Sequence, residues 1–250
     1  MRGVPALMVV LIGLAAPGFA AAAEIVSFVA RDRVTVFADY YPAASKAKPL
    51  VLLFHQAGSN RGEYATIAPV LVGLGFNALA VDQRAGGNSW GRANETVQHL
   101  GHSAGFTAAL ADLEAAVQWA RASGHTGKLI VWGSSYSAAL VFLLAAEHQD
   151  EIAAILAFSP GEYLGGTDRV RHAASQISMP IFVASAKQGD EIAAARMILD
   201  AAPAAVKTQF VPRSAGIHGS STLRADRNPA GAEENWKAVK DFLGKLSGAV

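Results

Sequence analysis

A serine hydroxyl becomes a nucleophile only when a base takes its proton. The informative residues are therefore serines on tight turns, together with histidines and carboxylates placed to reach them. Two segments offer a small-x-Ser-x-small frame: Gly133-Ser134-Ser135-Tyr136-Ser137 and the literal Gly-x-Ser-x-Gly of Gly101-His102-Ser103-Ala104-Gly105. A nucleophile elbow needs a buried strand feeding it and a helix leaving it, with small residues two positions either side of the serine. Leu129-Ile-Val-Trp132 is a good buried strand ahead of the first frame, whereas Thr96-Val-Gln-His-Leu100 is a poor one ahead of the second. Context selects Ser135, and Gly101 to Gly105 reads as a loop leading into the next helix. Ser134 would be flanked by the bulky Trp132 and Tyr136, and Ser137 sits one helical step too far from the strand end. A serine at the start of a helix can also be a plain N-cap, so Ser135 is judged by its partners.

His218, in the loop Arg213-Ser-Ala-Gly-Ile-His-Gly219 after the last predicted strand, is the base candidate; imidazole has the pKa that this task asks for. Its competitors are placed worse: His125 lies in a turn, His148 on a helix end, His172 after the sixth strand region, and His99 and His102 beside the segment Gly101 to Gly105. A buried carboxylate must fix the tautomer of the base. Asp190, following Pro180 to Ala186 through Lys-Gln-Gly, is preferred because the next helix is read as starting at Glu191; Glu191 is the alternative acid and Glu162 a third. The chain order Ser135, Asp190, His218, each after a separate predicted strand, is that of an α/β-hydrolase. His55-Gln-Ala-Gly58 follows the strand Leu50 to Phe54, where one oxyanion N–H is expected. The backbone N–H groups of Ala57 and Tyr136 are assigned to the oxyanion hole, with Gln56 as the alternative to Ala57.

These residues need a frame. Ile25 to Val29 and Val34 to Tyr41 read as a hairpin. Apolar runs at Leu50 to Phe54, Phe76 to Val81, Leu129 to Trp132, Ile152 to Phe158, Ile181 to Ala184 and Thr208 to Val211 read as strands. Helical spacing marks Glu63 to Leu74, Thr107 to Ala122, Ala138 to Gln149, Ile192 to Ala202 and Glu233 to Leu246. Alternation of this kind predicts a mostly parallel sheet with helices on both faces and chemistry at the carboxyl ends of its strands.

Composition excludes several function classes. Of 250 residues, 52 % are hydrophobic and 16 % charged, with Lys+Arg 21 against Asp+Glu 20 and no cysteine. Disorder needs the opposite balance. A formal charge of +1 gives no electrostatic case for nucleic acid or an anionic membrane surface. Without cysteine there is no disulfide, thiolate metal site or thiol nucleophile. Arg2, the apolar run Val4 to Ala16 and the small residues Ala20 to Ala23 form a signal-peptide pattern over 1–23, leaving a catalytic domain over 24–250. Its apolar core is shorter than the ~20 residues of a membrane span. Export to a bacterial periplasm or the medium, without stable membrane insertion after cleavage, is the expectation.

His55-Gln-Ala-Gly58, Asp82-Gln-Arg-Ala-Gly-Gly-Asn-Ser89, Gly133-Ser-Ser-Tyr-Ser137, Asp190 and His218 together resemble the exported, dienelactone-hydrolase-like branch of single-domain serine esterases in the α/β-hydrolase superfamily. The resemblance implies an eight-stranded sheet, no metal or organic cofactor, and a structural role for the Asp82 to Ser89 turn at the site rim. Dienelactone hydrolases proper use a cysteine nucleophile, so that activity does not carry over to a chain without one. The elbow also ends in Ser137 instead of glycine. Only Ser159 to Met179 separates the sixth and seventh strands, too little for the cap domain of many relatives, which implies an open site. The expectation is hydrolysis of a small-molecule ester through an acyl-serine. The alternatives are a peptidase or thioesterase on the same triad, or a non-catalytic binding protein on this scaffold.

Overall fold

A computed structural model describes residues 23–247; the expected signal segment lies outside the described residues, apart from Ala23. The chain starts with an antiparallel pair, β1 (Glu24–Val29) and β2 (Thr35–Tyr41), turning through Arg33 at φ 68°. Then follow β3 (Leu50–Phe54), a 3₁₀ turn at Arg61–Tyr64, α1 (Ala68–Gly73), β4 (Asn77–Asp82), α2 (Glu95–Leu100), a 3₁₀ turn at Phe106–Ala109 and α3 (Leu110–Ala122). The second half contains β5 (Leu129–Ser134), α4 (Tyr136–Glu147), β6 (Ile152–Phe158), α5 (Arg169–Ala174), β7 (Ile181–Ala184), α6 (Gly189–Ala201), β8 (Lys207–Phe210), a 3₁₀ turn at Gly219–Leu223 and α7 (Ala232–Ser247).

The strands form one eight-stranded sheet in the order β1-β2-β4-β3-β5-β6-β7-β8, parallel from β4 to β8. Its central strands are covered on both sides, so their side chains alternate between two cores. Leu50, Leu52 and Phe54 pack with α3 and α4, while Val51 and Leu53 pack with α1 and α7. Strand order reverses between β3 and β5: β4 returns on one side of β3 and β5 starts on the other. A crevice at the carboxyl ends of the strands opens at such a reversal. That crevice lies between the loop from His55 and the turn at Ser135.

Two of the differences from the sequence reading concern elements beside the crevice. The single helix expected over Glu63 to Leu74 is a 3₁₀ turn and a separate short helix, because Pro69 has no N–H to extend a helix from upstream and sits in the first turn of α1. Thr96 to Leu100 is the helix α2, capped by Asn94, whose Oδ1 accepts the Val97 N–H at 2.9 Å, and ended by Gly101 at φ 83°. The connection between β6 and β7 contains α5 and loop, with no cap domain.

Candidate active site

β5 runs straight into α4 through Ser135, whose φ of 59° and ψ of −120° lie outside the ordinary regions for a residue with a side chain. Such a turn presents the side chain above the strand end. Crowding around it is severe: a Cβ at Gly133 would lie 2.3 Å from the Ser137 carbonyl oxygen. Ser137 fits because its hydroxyl is used. It donates to the His55 carbonyl at 2.6 Å and accepts from Gln83 Nε2 at 2.8 Å, so the departure from glycine ties the elbow to the loop after β3.

Ser135 Oγ lies 2.7 Å from His218 Nε2, and His218 Nδ1 lies 2.8 Å from Glu191 Oε1. A carboxylate only accepts, so Nδ1 carries the proton and Nε2 is left as the acceptor for the serine hydroxyl. The hydrogen bond to Glu191 raises the His218 pKa against the lowering effect of partial burial. Burial pushes the Glu191 carboxyl up, but hydrogen bonds from His218 and Ser159 outweigh it, and its pKa ends below the ordinary value. Glu191 Oε2 also accepts the Ala186 N–H at 3.1 Å.

The structure brings the alternative acid Glu191, and not the preferred Asp190, to the imidazole. Helix α6 starts at Gly189, not at Glu191, which puts both acids in its first turn, pointing in different directions. Glu191 reaches His218, whereas Asp190 is exposed to solvent. Glu162, the third candidate, accepts the N–H groups of Val170 and Arg171 at the start of α5. Ser103 stands exposed in the loop after α2.

The loop after β3, where an oxyanion N–H is expected, is equally specific. The Gln56 N–H donates to Glu63 Oε2 at 2.9 Å and is therefore spent. Ala57, next in the chain, is exposed at the crevice, and the Tyr136 N–H is in the first turn of α4, without an intrahelical acceptor. His55 is fully buried. Its Nδ1–H donates to the Gln56 carbonyl at 2.8 Å and its Nε2 accepts the Gln83 N–H at 3.0 Å. Burial lowers its pKa, so it is a neutral tie for this loop. Asp82 is structural too: Oδ1 accepts the Arg61 N–H at 2.7 Å, and Oδ2 accepts the Glu95 N–H at 2.8 Å and pairs with the Arg61 guanidinium.

Two supporting residues escaped sequence reasoning. Ser159 follows β6 at φ 53°, and its Oγ accepts the Gly219 N–H at 3.0 Å, joining the acid to the loop of the base. Its place just past a strand end was a usable signal. Glu63 is the second; it sits in what reads as a helix start, and nothing in its local pattern marks it as buried. Among the described residues, no group of three or more His, Asp or Glu side chains is arranged to hold a metal ion.

Phe106 stacks on Tyr136 with ring centroids 4.6 Å apart and is 38 % exposed, giving the elbow an aromatic flank. Tyr163, also partly exposed, donates its hydroxyl to the Ser159 carbonyl at 3.2 Å.

A family model described as serine aminopeptidase, S33, matches residues 45–164. No curated protein sequence matches the chain. Among solved structures, the esterase Pf2001 of Pyrococcus furiosus superposes with a TM-score of 0.66 at 21 % identity, covering 89 % of this chain and 92 % of that one. A dienelactone hydrolase from Anabaena variabilis gives 0.67 at 16 % identity, covering 90 % and 99 %. Est1E from Butyrivibrio proteoclasticus with bound ferulic acid gives 0.67 at 17 % identity, covering 88 % and 99 %.

Proposed function

Because the chain has the α/β-hydrolase fold, with a Ser135–His218–Glu191 hydrogen-bonded chain at its strand ends, we propose that it is a serine hydrolase that cleaves small-molecule esters. The observation that carries this reading is the unbroken contact from hydroxyl to imidazole to carboxylate on a strained turn. Ser135 attacks the ester carbonyl while His218 Nε2 takes its proton. Glu191 holds the imidazole in the required tautomer and stabilises the imidazolium that forms. The N–H groups of Ala57 and Tyr136 receive the charge that develops on the carbonyl oxygen. His218 then protonates the leaving alcohol, and water repeats the sequence on the acyl-serine. The missing cap leaves the crevice open to solvent, which suits esters that need no closing lid. Export through cleavage after the 1–23 segment is part of the same proposal, supported by the residue pattern of that segment alone.

A fluorophosphonate probe tests the core of this reading. Adduct formation on Ser135 in the folded wild-type protein, mapped by peptide mass spectrometry, is the expected result; folded protein that takes no label would favour a binding scaffold. The aminopeptidase wording of the matched family model supplies a second reading. Turnover of an aminoacyl anilide faster than a p-nitrophenyl ester would favour it over ester cleavage.

A further inference from the structure

Five acids are buried among the described residues, and four of them are paired with arginine: Asp39 and Asp82 with Arg61, Asp112 with Arg84, and Glu114 with Arg31. Glu63 is the fifth, fully buried, and among the described residues no cation lies within ion-pair distance of its carboxylate. Arg224 approaches only the backbone, donating to the carbonyls of Gly62 and Glu63 at 3.1 and 3.0 Å. Taking a carboxylate out of water is expensive unless donors replace the lost hydration. Here the donors come from the site itself. Oε2 accepts the Gln56 N–H at 2.9 Å, one residue before Ala57. Oε1 accepts the Ser134 hydroxyl at 2.8 Å, one residue before the nucleophile. Ser134 Oγ in turn accepts the Ser220 N–H at 2.8 Å, two residues after His218. Backbone freedom at Gly219 completes the approach: at φ 72°, a Cβ there would lie 2.4 Å from Ser134 Oγ.

We infer that Glu63 is a positioning residue whose ionised carboxylate locks the oxyanion loop, the nucleophile turn and the base loop into one register. The inference rests on the serine-hydrolase reading and deepens it. Both groups that contact the carboxylate are donors, so only an acceptor with two free oxygens satisfies both. A protonated carboxyl or an amide keeps the Gln56 N–H only by turning its own hydrogen toward Ser134 Oγ, which reverses that contact and takes the acceptor away from the Ser134 hydroxyl hydrogen. Burial raises the Glu63 pKa to about 7, against the lowering effect of the Gln56 and Ser134 hydrogen bonds and of the Arg224 and His218 charges. Tyr64 and Tyr136 are the other titratable groups facing it. Glu63 also raises the pKa of His218. The lock therefore loosens in the range where the base itself becomes protonated.

The test compares wild type, Ser135→Ala and Glu63→Gln with p-nitrophenyl acetate across roughly pH 5 to 9, fold being checked by circular dichroism. Misplacing reacting groups by about an ångström costs on the order of 100-fold in rate. At alkaline pH, Glu63→Gln is expected to lower kcat by about 10- to 100-fold with KM within about twofold. Its deficit should shrink as the pH falls through about 7, because protonated Glu63 in the wild type resembles the amide. The acid limb should become a one-proton curve at lower pH. A folded Glu63→Gln variant with wild-type kcat, or with a deficit that is the same at every pH, overturns the inference. If Glu63→Gln does not fold, Ser134→Ala decides: loss of a donor should move the acid limb upward, and an unmoved limb refutes the assignment. Wild-type protein without hydrolysis above the Ser135→Ala blank would sink the serine-hydrolase reading and this inference with it. An active wild type beside an unaltered Glu63→Gln would sink the inference alone.

Discussion

The segments 101–105 and 133–137 share a pattern of small residues around a central serine, yet their glycines are there for unrelated reasons. Gly101 ends helix α2 at φ 83°, and a Cβ on Gly105, at φ −69°, would meet nothing within 4 Å. Gly133 has an ordinary φ but no space, because the Ser137 carbonyl occupies the position of its Cβ. One glycine answers to conformation, one to nothing local and one to packing. A small residue two positions from a serine is therefore evidence of an elbow only when the chain doubles back against it, and a buried strand such as β5 makes it do so.

The sharpest way to break this comparison is to remove the two hydroxyls separately. Ser135→Ala is expected to lower kcat with p-nitrophenyl acetate on the order of 10⁴-fold or more, while Ser103→Ala stays within about twofold. The opposite result would transfer the site to the exposed loop.

The two neighbouring acids offer a second contrast. Glu191→Gln should cost about 10³-fold in kcat by releasing the His218 tautomer, and Asp190→Asn should leave steady-state rates within about twofold. Equal losses would mean that α6 presents its first turn differently.

The glycines themselves can be exchanged. Gly133→Ala should destabilise the fold by about 1–3 kcal/mol through overpacking of the turn, while Gly105→Ala should stay within about 0.5 kcal/mol, both read by urea unfolding.

The smallest expected effect is a shift in pH dependence. An imidazole can take a proton only when neutral, and Glu191 holds the His218 pKa above the ordinary 6.5. On the proposed mechanism, activity is expected at alkaline pH and is lost as the pH falls through that raised value. In Glu191→Gln the residual kcat/KM should retain its acid limb, displaced to lower pH. A limb that does not move would detach Glu191 from the base.

Legibility followed the range of the interactions involved. Strand segments such as Leu50 to Phe54 and Leu129 to Trp132 were visible because burial on both faces leaves continuous apolar runs. Ser135 and His218 were visible because each follows a strand end. The choice between Asp190 and Glu191 was not, since it turns on where α6 begins, and Gly189 offers no conventional cap to mark it. α2 was missed although Asn94 and Gly101 bracket it, because its residues were weighed only as a strand. Glu63 was beyond local reading altogether: its partners are Gln56, Ser134 and, through Ser134, Ser220, brought together only by the finished sheet.

The backbone at Ser135 has a thermodynamic side. A side-chain-bearing residue held in a glycine-like conformation costs roughly 1–3 kcal/mol, a sizeable fraction of the 5–15 kcal/mol by which folded domains usually survive. Glycine at 135 would relieve that tension while abolishing the hydroxyl. Under the proposed function, selection for durability alone pulls this position toward an inert, tougher molecule, and the demand for turnover is what keeps the serine in place.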